Sequence, residues 1–207
     1  MNDYLRASFG KDGPTVHRMG LSGSYWPGKR AIYRAVDEGV NVFFAYGFDL
    51  QMTRTLRDVV RGRREDFVIA TGPYNLIIGH TSIRKTLERR LRQFQTDYID
   101  AFLFLGVMKE QQFSLAVRDE LLQLKEEGLV RRVGMSCHDR AFAGRLAAEG
   151  SMDAFMVRYN AAHPGAEKDV FPHLAEHDPA VISYTATRWC CVVGFWAQIP
   201  RPWTGAG

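Results

Sequence analysis

The sequence predicts an α/β protein: a TIM-type (β/α) barrel, incomplete at about seven strands and preceded by an N-terminal β-hairpin. Three observations carry that expectation. Short apolar runs rich in Val, Ile and Phe alternate along the chain with stretches of helical period. The βα unit recurs at roughly 25–30 residues, a spacing that a barrel and an open doubly wound sheet share. No strand runs directly into a GxGxxG turn, so the usual dinucleotide fingerprint of the open sheet is missing.

In chain order, Tyr4 to Ser22 places Lys11-Asp12-Gly13 between two extended runs and reads as a hairpin. Val16–Leu21 counts as the first of seven candidate strands. The others are Val40–Ala45, Phe67–Thr71, Ile99–Leu105, Val130–Met135, Ala154–Val157 and Val181–Tyr184. A helix from Ser82 to Phe94 aligns Ile83, Leu87, Leu91 and Phe94 on one face. A second, from about Ser114 to Glu127, buries Val117, Leu121 and Leu124 and stops at Gly128. Asp139 caps a third, which carries Phe142 and Leu146 and ends at Gly150. His173 and His177 stand i, i+4 on an expected helix; a surface helix accounts for them better than a metal ligand pair.

Eight strands would take about 250 residues, and this chain has 207. Residues 1–188 are therefore read as the barrel domain. Residues 189–207 change character, from the apolar run Cys190 to Ile199 to the Pro- and Gly-rich end. They read as an atypical tail, foreign to the barrel pattern; the other reading lays them over the open sheet edge, which would otherwise invite self-association.

Composition narrows the function classes. An apolar fraction of 46% and a charged fraction of 24% suit a globular chain with a real core. The net charge of +4 is modest, and the basic run from Arg84 to Arg92 shares its segment with Leu87 and Leu91, so it reads as a solvated helix face rather than a nucleic-acid surface. No run reaches membrane-spanning length, and the first residues lack a signal-peptide core. Three cysteines make no disulfide framework, which points to the cytoplasm.

Several segments, in order, resemble the aldo-keto reductases. Val16-His17-Arg18-Met19-Gly20-Leu21-Ser22 is similar to the family's start, and Val36-Asp37-Glu38-Gly39-Val40 to the joint before its second strand. Thr96-Asp97-Tyr98-Ile99-Asp100 resembles the fourth strand's entry. The strongest match is Leu124-Lys125-Glu126-Glu127-Gly128-Leu129-Val130-Arg131-Arg132-Val133-Gly134-Met135-Ser136. Tyr159-Asn160 and Ser183-Tyr184 fall at the ends of the sixth and seventh strands. The resemblance covers residues 4 to about 188.

It implies NADP(H)-dependent reduction of a small carbonyl compound. In that family a tyrosine hydroxyl gives the proton, a lysine paired with an aspartate raises its acidity, and a histidine orients the carbonyl. A phenol near pKa ~10 needs such a cationic neighbour to be a useful acid at neutral pH. This chain departs from that pattern. With a shortened segment Phe43-Phe44-Ala45-Tyr46-Gly47, Tyr46 is the tyrosine; an ungapped reading instead puts Phe44 at the aspartate and Asp49 at the tyrosine. Gly72 stands where the lysine belongs, and Leu105 or Gly106 where the histidine belongs. Ser136 and Tyr184 match cofactor contacts, the carboxamide serine and the aromatic that stacks on nicotinamide, and Asn160 lies beside them. The family glutamine falls at Met156, and the basic phosphate-binding segment after the eighth strand has no counterpart.

Strand ends supply other polar groups. His138 could act as a general acid in place of the missing groups, as could His163, although helix capping and a Pro164-Gly165 turn explain both more simply. Cys137 reads as a buried or loop thiol rather than a nucleophile. No metal site is expected. The site residues expected are thus Tyr46 and His138 for catalysis and Ser136, Asn160 and Tyr184 for the cofactor. A non-catalytic relative that binds a ligand or partner on the same barrel is the alternative.

Overall fold

The computed structural model describes residues 4–45, 48–76, 79–80, 82–186 and 195–197. The chain opens with an antiparallel hairpin, β1 (Arg6–Ser8) and β2 (Thr15–His17), in register Ala7 to Val16. Its turn uses Gly10 and Asp12 at positive φ. Barrel strand β3 (Met19–Ser22) follows at once. The expected strand Val16–Leu21 is thus two strands, broken at Arg18, where the His17 ring takes the Met19 N–H at 3.1 Å. That local side-chain bond competes with continued pairing and turns the chain from hairpin to barrel.

Alternation then runs as expected. Helix α1 (Lys29–Asp37) precedes β4 (Val42–Phe44), α2 (Leu50–Val59) precedes β5 (Val68–Thr71), and a short backbone hairpin, β6 (Asn75–Leu76) with β7 (Gly79–His80), leads to α3 (Ile83–Phe94). Strand β8 (Ile99–Val107), α4 (Leu115–Glu126), β9 (Val130–Cys137), α5 (Arg140–Glu149) and β10 (Ala154–Arg158) continue the pattern. A single turn of helix, α6 (Ala166–Asp169), and a 3₁₀ turn at Phe171–His173 lead to β11 (Ala180–Tyr184). The expected cap Asp139 accepts from Phe142 N–H, and the expected helix starts Ser82 and Ser114 also act as caps, accepting from Lys85 and Val117 N–H. His173 sits in the 3₁₀ turn and His177 outside any helix, against the expected helical pair. The segment is closed off by Asp178 at positive φ, and the His177 ring lies 3.2 Å from the Ala148 carbonyl.

Seven strands run parallel in the order β3-β4-β5-β8-β9-β10-β11. Of the tail, residues 195–197 are described, and they form β12 (Phe195–Ala197). It runs antiparallel to both neighbours in the gap between β11 and β3, pairing Ser183 with Trp196 and Gly20 with Phe195. The ring of strands is thereby closed, and the expected open edge is bridged at Met19, Gly20, Ile182 and Ser183. Among the described residues no helix is long and apolar enough to cross a membrane.

Two apolar layers follow from strand parity, since alternate residues face opposite sides of a sheet. Val42, Phe44, Val68, Ala70, Ala101, Leu103, Leu105, Ala154, Met156, Ala180 and Ile182 fill the barrel's interior together with Phe9 and Val16 of the hairpin. Because Lys11 N–H bonds to Asp178 O just before β11, the hairpin covers the barrel's N-terminal end. Phe43, Ile69, Phe102, Phe104, Val133, Met135, Phe155 and Val181 face outward and pack under the helices. One end of the barrel is thus plugged, and chemistry is left to the other.

Candidate active site

The C-terminal ends of β9, β10 and β11 bring their inward residues into stacked layers. Register pairs Ala154 with Gly134 and Ala180, then Met156 with Ser136 and Ile182. One layer further out, Arg158 pairs with Tyr184, and parity brings His138, the residue after β9, to the same level. The change from apolar to polar thus occurs at the mouth. Active sites of parallel barrels are built at this face.

His138, Arg158 and Tyr184 interact. The Tyr184 hydroxyl lies 3.0 Å from His138 Nδ1, across the intervening strand β10. The two rings meet edge to face, with centroids 5.5 Å apart. The Arg158 guanidinium lies 5.8 Å from the centre of the Tyr184 ring. Desolvation holds His138 below the usual imidazole pKa, and the Arg158 charge pushes it the same way. Desolvation raises the Tyr184 phenol above its ordinary value, against a lowering effect of Arg158. At neutral pH the pair is therefore a neutral phenol beside a neutral imidazole. In the imidazole tautomer that carries its proton on Nε2, Nδ1 accepts from the phenol.

Ser136 lies one layer below, 7% exposed, and its hydroxyl has no hydrogen-bond partner among the described residues. Asn160 follows β10. Its Nδ2 donates to the Thr185 carbonyl at 2.8 Å, and its Oδ1 accepts the Ala162 N–H and lies 3.1 Å from His163 Nδ1. Asn160 thus ties the ends of β10 and β11 together, and its amide is engaged in doing so. Cys137 faces outward into the helix layer, its thiol donating to the Asp139 carbonyl at 3.0 Å, and burial pushes its pKa up to about 12. Asp49, the ungapped alternative for the family tyrosine, is buried and caps α2, accepting the Met52 N–H at 2.8 Å. Tyr46 lies outside the described residues.

Gly72 follows β5, and its backbone runs against β8. A Cβ built there would fall inside the van der Waals envelope of the Leu103 carbonyl oxygen. This backbone path leaves no room for a side chain where the family lysine would project. Arg158 escaped the sequence reading. Its signal was the parity of Met156, which fixes residue 158 on the same inward face.

Comparison with known proteins agrees with this architecture. Residues 29–189 match the model of the aldo/keto reductase family. Among solved structures, an aldo-keto reductase from Bacillus halodurans in its holo form superposes with a TM-score of 0.71 at 18% identity, covering 87% of this chain and 65% of that one. A Pseudomonas aeruginosa protein classed with the aldo-keto reductases gives 0.70 at 25% identity, over 86% and 77% of the two chains. An aldo/keto reductase from Klebsiella pneumoniae, solved with NADP and acetate, gives 0.67 at 24% identity, over 86% and 67%. The present chain thus spans about two thirds of the Bacillus and Klebsiella structures. No curated protein sequence matches it.

Proposed function

The chain belongs to the aldo/keto reductase family, and on that premise we propose that it is an NADP(H)-dependent oxidoreductase acting on a small carbonyl compound in the cytoplasm. The observation that carries the reading is the meeting of His138 and Tyr184 at 3.0 Å, with Ser136 one layer below in the same mouth.

The nicotinamide end of the cofactor suits these groups. Ser136 offers an unengaged hydroxyl to a carboxamide, and Tyr184 offers an aromatic face beside it. Asn160 belongs to the same site as the residue that holds the two strand ends in place. When bound, the cofactor supplies the hydride. His138 takes over the carbonyl-orienting role: its Nε2–H, left free by the Tyr184 bond to Nδ1, donates to the carbonyl oxygen. Tyr46, two residues beyond the end of β4, is the proposed proton donor.

A second reading, a relative that binds a ligand without turning it over, is favoured by Gly72. Gly72 stands where the resemblance expects the lysine, the cation that raises a phenol's acidity. One experiment separates the two. NADPH is titrated into the purified protein while tryptophan and cofactor fluorescence are followed, and then NADPH oxidation is measured with small aldehydes and ketones. Binding with turnover that Tyr46→Phe abolishes supports the reductase; binding without turnover supports the second reading; absence of NADPH binding removes the first.

A further inference from the structure

Among the described residues no carboxylate lies within ion-pair distance of Arg158. The arginine sits half-buried in the outermost inward layer of the barrel, on β10, the strand between those that lead to His138 and Tyr184. Its Nε is buried and has no hydrogen-bond partner. Other arginines near carboxylates are paired, Arg64 with Asp100, Arg140 with Asp169, Arg145 with Glu110, whereas Arg158 makes no ion pair among the described residues. A guanidinium at a barrel mouth with no anion beside it keeps N–H donors available to a ligand's anionic group.

We propose that Arg158 is a specificity-determining residue that receives a carboxylate carried by the substrate, so that the preferred substrates are small 2-oxo acids. This rests on the reading of the mouth as a carbonyl site. A guanidinium presents parallel N–H donors that match a carboxylate's two oxygens. The Arg158 guanidinium and the His138 ring both lie against the Tyr184 ring, at 5.8 Å and 5.5 Å from its centre. A molecule whose carboxylate adjoins its carbonyl can place the acid group on Arg158 and the carbonyl oxygen toward His138. The Ser136 hydroxyl, in the layer below, is a further donor on the same inward face. Within the mouth, the Arg158 charge would also discriminate against cationic substrates.

The test needs no cofactor. Binding of pyruvate and of diacetyl, its near-isostere without the carboxylate, is measured on the full chain by ligand-observed NMR, with inorganic diphosphate as a stand-in for the cofactor's phosphates. Pyruvate is expected to bind about ten-fold or more tightly than diacetyl and than diphosphate. Arg158→Gln should remove that preference by weakening pyruvate binding, and Arg158→Lys should keep part of it. Equal binding of pyruvate and diacetyl by the unaltered protein overturns the inference, as does a preference for diphosphate, which would assign Arg158 to the cofactor. Because NADPH is absent, failure here and failure of the NADPH titration are read separately.

Discussion

The Tyr184 hydroxyl reaches His138 Nδ1 at 3.0 Å across the width of strand β10, so the last residue of one strand fixes the ring that follows another. Among the described residues Arg158 and Tyr184 are the ionisable groups that act on that ring, and desolvation with the Arg158 charge keeps its pKa below the ordinary imidazole value. The unfolded chain takes up this proton near pH ~6.5, the folded protein only at lower pH. The stability associated with neutral His138 is therefore complete above the unfolded value and is lost as the pH falls through the folded one. In an NMR titration the His138 ring should titrate below the ordinary range, and Arg158→Gln should move its midpoint upward. A midpoint at or above the ordinary value in the unaltered protein would refute this arrangement.

Much of the architecture was legible because it is periodic. Leu87, Leu91 and Phe94 announce their helix, and the apolar runs announce the strands. What escaped was decided by contacts distant in sequence or by single turns. Tyr184 and His138 are 46 residues apart, and no local pattern joins them. Strand β8 continues to Val107, past the expected end at Leu105, because Gly106 takes a positive φ at an irregularity in the ladder and lets pairing resume at Val107 with Cys137. Arg158 carries no local motif, and only the parity it shares with Met156 assigns it inward. Tyr46, on which the proton-donor expectation rests, lies outside the described residues.

Cys137 shows how little a thiol beside a histidine means without direction. Strand parity turns it outward, away from the mouth, and its pKa rises to about 12. The thiolate is the reactive form, so alkylation at pH 8 should be very slow while the protein is folded. Peptide mapping after iodoacetamide treatment is expected to find Cys137 unmodified in the native protein and modified in denaturant. Rapid native labelling at this position would show that the thiol is exposed and ionised.

Gly72 bears on whether the family's lysine can be restored. A side chain there meets the Leu103 carbonyl on β8, part of the backbone of a central strand. Relief requires the two strands to move apart, so Gly72→Ala should destabilise by about 1–3 kcal/mol, as other steric intrusions into packed regions do. Thermal unfolding would register this as a lower Tm. Gly72→Lys should lose at least as much and gain no carbonyl reduction. A Gly72→Lys protein with native Tm and increased turnover would mean that the backbone here adapts freely.

At the opposite end of the barrel, Asp100 near the start of β8 is 2% exposed and holds three partners. Arg64 donates to Oδ2 at 2.6 Å, the Ile69 N–H donates to the same oxygen at 2.9 Å, and Arg131 lies 3.7 Å from Oδ1. Burial raises the Asp100 pKa despite the lowering effect of both arginines and the amide. The pair is therefore a costly one whose members depend on each other. Removing one partner leaves the other buried and uncompensated, which costs about 3–5 kcal/mol. Asp100→Ala should accordingly lower stability by about that much in denaturant melts, since it strands Arg64, itself only 13% exposed. The raised pKa also sets a sign. The folded state holds the Asp100 proton to higher pH than the unfolded chain, so this group's contribution favours folding fully below the unfolded value and is lost as the pH rises through the folded one. Removing the carboxylate should therefore cost stability at neutral pH and also abolish that acid-side gain. Comparing Asp100→Ala with the unaltered protein at pH 4 and pH 7 measures both effects together, and an Asp100→Ala protein as stable as the parent at both pH values would show that the ion pair contributes nothing.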